Sequence, residues 1–119
     1  MKEMRIQQLE EIVEKFCSER DWDQFHDPKS LACLIITEAG ELLEPFRFCS
    51  AQESEELLND PIQRRAVAEE LSDVLFGLLR ISQKYQLNLT EAFMEKMKVN
   101  ERKYPISQFK GSNRKYNQD

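Results

Sequence analysis

The chain has 119 residues, 40% of them hydrophobic and 33% charged, enough for one domain with a real core but not for two. Three glycines and four prolines argue against a collagen-like or loop-rich chain and favour a compact helical one. A formal charge of −5 argues against a nonspecific nucleic-acid binder, although a small polyanionic ligand fits if a metal ion supplies local positive charge.

Ile6, Leu9, Val13, Phe16 and Cys17 recur at three- and four-residue steps, which predicts an amphipathic helix over residues 3–19. The opening MKEMRIQQLEEI has no apolar signal core and no run reaches membrane-spanning length, so a soluble, cytoplasmic protein with no membrane partner is expected. The aromatic and aspartate-rich link RDWDQFHDP comes next. Its last pair, Asp27 and Pro28, reads as the N-cap and first turn of a second helix that runs to about Pro45. CSAQESEELLNDP is a polar connector with room for one short helical turn. Asp60 and Pro61 then repeat the cap-and-proline start for a third helix, IQRRAVAEELSDVLFGLLRISQKY, with a core stripe of Val67, Leu71, Val74, Leu78 and Ile81. Asn88 breaks it, and LTEAFMEKMKVNERKY forms a fourth helix ending before Pro105. The expected architecture is all-α, an antiparallel four-helix bundle-like domain over 1–105 followed by a basic, polar tail or flap over 106–119. Cys17, Cys33 and Cys49 are odd in number and form no C-x-x-C pair, so they read as reduced, packed thiols.

The second helix carries acids through an apolar segment. On a wheel of about 100° per residue, Leu31, Leu34, Ile35 and Leu42 make one stripe with Glu38 inside it and Glu41 beside it. Ile36 and Leu43 form a second apolar patch, which predicts burial on more than one side, and Glu44 turns away. On the third helix Glu70 and Asp73 share one flank with Ala66 and Gly77, small residues that leave space beside the carboxylates. Glycine inside a helix costs up to about 1 kcal/mol against alanine, so Gly77 needs a reason. If the two helices pack antiparallel, four carboxylates converge. Unpaired, they would repel, desolvate one another and bind protons more tightly. A hard divalent cation resolves that conflict, and an all-oxygen set suits Mg²⁺ or Mn²⁺. One histidine and scattered cysteines do not make a zinc site. A single E-x-x-E pair is common on solvated faces; two such pairs inside apolar helices are not.

Glu38-x-x-Glu41 followed by Glu70-x-x-Asp73 resembles the acid signature of the MazG-like nucleotide pyrophosphohydrolases. The blocks ERDWDQFHDP, EAGEL, EELSDVL, KMKVNERKYP and GSNRKY are similar to the dCTP pyrophosphatase branch of that family, over roughly residues 10–116. The resemblance implies an all-α, Mg²⁺-dependent enzyme that cleaves a nucleoside triphosphate to the monophosphate and pyrophosphate in nucleotide-pool house-cleaning. It places the metal on Glu38, Glu41, Glu70 and Asp73. It puts Lys96 and Asn100 at the nucleotide, Trp22 and His26 near the base, and Phe48 where the branch carries a tryptophan. Gly77 and Val13 depart from the branch, where an aromatic residue and a polar ring are expected. Both changes enlarge or depolarise the base pocket, so dCTP is the first expected substrate, with dATP and other dNTPs open.

No Ser-His or Cys-His pairing is evident, so direct attack by water is expected, with Glu38 or Glu41 as general base. Lys96, with Arg102 or Lys103, would steady the leaving pyrophosphate. Tyr104 either joins them at the nucleotide or closes the fourth helix against Pro105. Lys110, Arg114 and Lys115 are candidates for a flap over the phosphates. Stacking on Trp22 and Phe48 serves affinity, whereas His26 and Asn100 are better suited to base choice. The third helix is apolar on most sides, which predicts self-association; the resemblance implies a dimer or a dimer-of-dimers homotetramer. A non-catalytic nucleotide-binding regulator and a helical interaction module are the rival readings.

Overall fold

The computed structural model describes residues 3–118. Among them every regular element is helical: α1 (Ile6–Glu19), α2 (Pro28–Leu43), α3 (Ala51–Leu57), α4 (Pro61–Lys84), α5 (Leu89–Lys103) and the short α6 (Ile106–Phe109). Single 3₁₀ turns lie at Asp23–Phe25 and Glu44–Phe46. The all-α class stands. None of these helices is long and apolar enough to cross a membrane.

Local chemistry sets the boundaries. Asp27 and Asp60 accept from the backbone N–H groups of Ser30 and Gln63, and Pro28 and Pro61 occupy first-turn positions that need no donor. The connector holds more than one turn, because Ser50 and Glu53 form a reciprocal capping box that starts α3. The exit from α1 is equally specific. Asp21 takes a left-handed conformation (φ 53°), its N–H bonds to Ser18 and that of Trp22 bonds to Cys17. This arrangement closes the helix and folds Trp22 back onto Phe16, with ring centroids 5.4 Å apart.

The chain divides into two compact units, one up to Leu87 and one from Asn88 on. In the first, α4 packs against both α1 and α2. Val13 and Cys17 of α1 meet Leu79 of α4, with Leu9 and Phe76 at the edges, and Ser82 donates to Glu10 at 2.9 Å. α2 and α4 run in opposite senses. His26, just before α2, meets Arg80, Ile35 meets Gly77, and Glu41 meets Glu70. In the second unit Tyr104 packs edge-on against Phe109 and Tyr116, so the segment expected as a tail or flap packs on the end of α5 through these rings.

Several packing expectations are corrected. On α4, Val67 is buried but Leu71 and Leu78 are 52% and 39% exposed; the buried positions are Val67, Gly77, Leu79, Arg80 and Ser82. The wheel found an apolar stripe, but α1 and α2 cover other faces of the helix. Ile36 and Leu43 are likewise exposed rather than buried. Val13 is buried in the core cluster with Cys17 and Leu79. The space at Gly77 is filled by Ile35: a Cβ there would stand 2.7 Å from Ile35 Cγ1. Of the three free cysteines only Cys17 is fully packed, and Cys33 is exposed.

Candidate active site

The antiparallel run of α2 and α4 brings Glu38, Glu41 and Glu70 together. One carboxylate oxygen from each lies within 4.8 Å of the others. Glu38 reaches the site because it belongs to the inward stripe of α2 with Leu31, Leu34 and Ile35, as the wheel predicts. Gly77 and Ile35 set how closely the helices approach one turn further along. Asp73 lies one turn from Glu70, and its charge acts on both Glu38 and Glu70, but its oxygens are outside the tight cluster. Glu44 is exposed on the 3₁₀ turn beyond α2.

The cluster is electrostatically unsatisfied. Desolvation raises Glu38 above the usual carboxylate range, and a proton shared with Glu41 and the charges of Glu41, Asp73 and Glu70 add to the effect. Glu70 is raised first by desolvation, then by the charges of Glu41 and Asp73. Oε2 of Glu38 and Oε2 of Glu70 are buried without a hydrogen-bond partner. Buried anionic oxygens in that condition are costly unless something positive reaches them. No lysine, arginine or histidine forms an ion pair with these acids among the described residues. The donor set is all carboxylate, which fits a hard divalent cation.

The aromatic link sits elsewhere on the same unit. Phe76, Phe16, Trp22 and His26 make a chain of edge-on contacts with centroids 5.4–6.1 Å apart, running from the core to the link surface. Trp22 is partly exposed and His26 half-buried. Phe48 is 89% exposed, with the Arg47 guanidinium over its ring at 4.9 Å. The remaining expected nucleotide ligands belong to the second unit. Lys96 and Arg102 are exposed, Asn100 is half-buried, and Lys103 lies over the Tyr116 ring at 4.7 Å. Arg114 lies over Phe109 at 4.9 Å, so Lys103 and Arg114 already hold aromatic partners. Sequence reading missed Arg80, Lys84 and Tyr85, which tie the link to α4. An arginine between Leu79 and Ile81 was the available signal.

A family model described as MazG-like matches residues 34–118, which takes in both acid-bearing stretches. The chain belongs to the MazG-like family. Among curated relatives, this MazG-like chain is 36% identical to human dCTP pyrophosphatase 1 over 114 residues, covering 96% of the chain and 67% of the relative. It is 35% identical to the bovine protein of the same name, with 96% and 68% covered. Among solved structures it is similar to a pyrophosphatase from Archaeoglobus fulgidus, with a TM-score of 0.80 and 38% identity over 88% of this chain and 96% of that one.

Proposed function

We propose that this MazG-like pyrophosphohydrolase cleaves a deoxynucleoside triphosphate, dCTP first and dATP or other dNTPs after it, to the monophosphate and pyrophosphate. Mg²⁺ is the cation, with Mn²⁺ able to replace it, held by Glu38, Glu41 and Glu70 with Asp73 beside them. The observation that carries the reading is the pair of buried, unpartnered oxygens on Glu38 and Glu70 within one carboxylate cluster. The choice of dCTP is supported by relatives named for that activity.

When bound, the cation neutralises triphosphate charge and polarises the α-phosphate. Glu41, the exposed member of the three, also accepts the proton of the attacking water, while Glu38 and Glu70 are more deeply set. Water oxygen bonds to the α-phosphorus as the bond to the bridging oxygen breaks. Trp22 and Phe48 offer stacking faces to the base, and His26 and Asn100 offer polar contacts. Lys96, with Arg102 or Lys103, steadies the charge of the departing pyrophosphate, and Tyr104 is a further nucleotide contact. Incubating the protein with each dNTP and Mg²⁺, and separating the products by chromatography, tests this directly. Monophosphate and pyrophosphate in equal amounts, fastest from dCTP, are expected. Binding of nucleotide without product would replace the enzyme with a regulator.

The active form is a homo-oligomer, a dimer or a dimer of dimers. The support is Leu71, Leu75 and Leu78, which share one stripe of α4 and are all exposed on the single chain, with Ile36 and Leu43 exposed on α2. Light scattering should give a mass of two or four chains. Leu71→Glu with Leu75→Glu should lower that mass without loss of helix signal; a wild-type monomer would contradict the assembly.

A further inference from the structure

The link between α1 and α2 is fastened to α4 by a buried cation that the acid cluster does not use. Arg80 is 1% exposed. Its Nε donates to Nδ1 of His26 at 2.8 Å, one terminal nitrogen donates to Gln83 at 2.7 Å, and the other pairs with the Asp23 carboxylate. Lys84 Nζ donates to the backbone carbonyls of Asp23 and His26 at 2.7 and 2.6 Å, and the Tyr85 hydroxyl donates to the latter at 2.9 Å. The link's position and the orientation of its histidine are therefore both set from one end of α4.

Chemistry then fixes the ring. Guanidinium has only donors and stays charged, so the Nδ1 it reaches must present a lone pair. A neutral imidazole with Nδ1 bare carries its proton on Nε2. Burial first, then the positive charges of Arg80 and Lys84, hold His26 below the usual imidazole range, with Asp23 opposing, so the ring is neutral at pH 7. Trp22 packs edge-on against that ring at 6.1 Å, which puts a stacking face and a polar group on one rigid element. A buried apolar side chain of similar volume would pack this position as well as a guanidinium does. What arginine adds is the set of directed bonds.

We propose that Arg80 is a positioning residue for base recognition: it locks His26 as the Nε2–H tautomer, so that the link offers a hydrogen-bond donor to an acceptor on the nucleobase. This rests on the reading above that Trp22 and His26 lie at the base. The matching ligand chemistry is a base edge with a bare ring nitrogen or carbonyl oxygen, such as N3 or O2 of cytosine, and a base presenting N–H there is disfavoured.

The chain has a single histidine, so its imidazole nitrogens give one unambiguous pair of ¹⁵N resonances. In the wild type at pH 7, Nδ1 should be unprotonated and Nε2 protonated. The opposite tautomer, or an even mixture, overturns the proposal without any variant having to fold. Arg80→Lys keeps a positive charge for Asp23 but lacks the Nε–H, and Arg80→Met keeps the volume alone. Each should lose the fixed tautomer and raise KM for dCTP about 10-fold, the loss of roughly one good hydrogen bond, with kcat changed less than about threefold. A retained tautomer, or an unchanged KM in both variants, overturns the positioning role. If His26→Ala raises KM while the Arg80 variants do not, Arg80 alone is misassigned. If His26→Ala leaves KM and the ranking of dCTP over dATP unchanged, the base-contact reading has failed and this proposal with it.

Discussion

Glu38→Gln is expected to lower turnover at least about 100-fold, the upper end of the loss seen when even an outer partner of a metal ligand is removed, while raising the melting temperature of the metal-free protein. The two effects have one cause. Glu38 sits in the inward stripe of α2 with a buried, unpartnered oxygen and three other acids acting on it. The amide keeps its shape, removes its charge and adds a donor that Glu41 or Glu70 can accept from. Glu70→Gln should behave in the same way. Metal-free stability should also depend on pH with a definite sign. An acid whose pKa is raised by folding binds more protons folded than unfolded, so stability falls as pH rises from the ordinary value of 4.5 through the raised folded values. Above those values the penalty is full, and it is there that Mg²⁺ should restore the most. Thermal melts of wild type and variant across pH 4–8, with and without Mg²⁺, read all three effects. A Glu38→Gln protein that melts lower than wild type without metal, or that keeps near-normal turnover, would contradict a strained carboxylate site.

Gly77→Ala should be the second most damaging small change, although alanine is the better helix former by about 1 kcal/mol. Its Cβ would come within 2.7 Å of Ile35 Cγ1, inside any ordinary contact. A β-branched side chain in a helix has one strongly preferred rotamer, so Ile35 cannot swing aside cheaply. Overpacking of this kind costs typically 1–3 kcal/mol, which leaves a net loss of about 1 kcal/mol and a melting temperature lower by roughly 4 °C. The helices must part where the spacing of Glu38 and Glu41 from Glu70 is set, so kcat should fall about 10- to 100-fold, as for a misplacement near 1 Å. Ile35→Ala removes the colliding atom. The double variant should therefore recover activity relative to Gly77→Ala, a coupling between neighbours that distant sites do not show. Unchanged kcat and Mg²⁺ affinity in Gly77→Ala would mean that the close approach does not position the acids.

The parts of this molecule that were legible in the sequence are those fixed by local chemistry. Asp27-Pro28 and Asp60-Pro61 announce their helices because the cap and the missing donor act within one turn. Glu38 stands out because a charge in an apolar stripe is anomalous on the helix itself. The box that starts α3 was equally local, Ser50 with Glu53, and was passed over because the segment is so polar. What could not be read depends on which face of an element meets which neighbour. α4 is apolar on most sides, so a wheel could not tell that Leu71 and Leu78 stay exposed while Leu79 and Arg80 are buried. Gly77 resembled an opening beside the acids until Ile35, 42 positions away, filled it. The role of Arg80 could not be read because its partners, Asp23 and His26, lie more than fifty residues earlier in the chain.

Calorimetric titration of Mg²⁺ into metal-free protein at pH 7, with a non-hydrolysable dCTP analogue present, tests the cation site most directly. Wild type should bind Mg²⁺ saturably, and Glu38→Gln should lose most of that affinity while its helix content stays intact. Equal Mg²⁺ affinity in the two proteins, or no saturable binding in the wild type, would contradict the assignment of Glu38, Glu41 and Glu70 as the metal-holding acids.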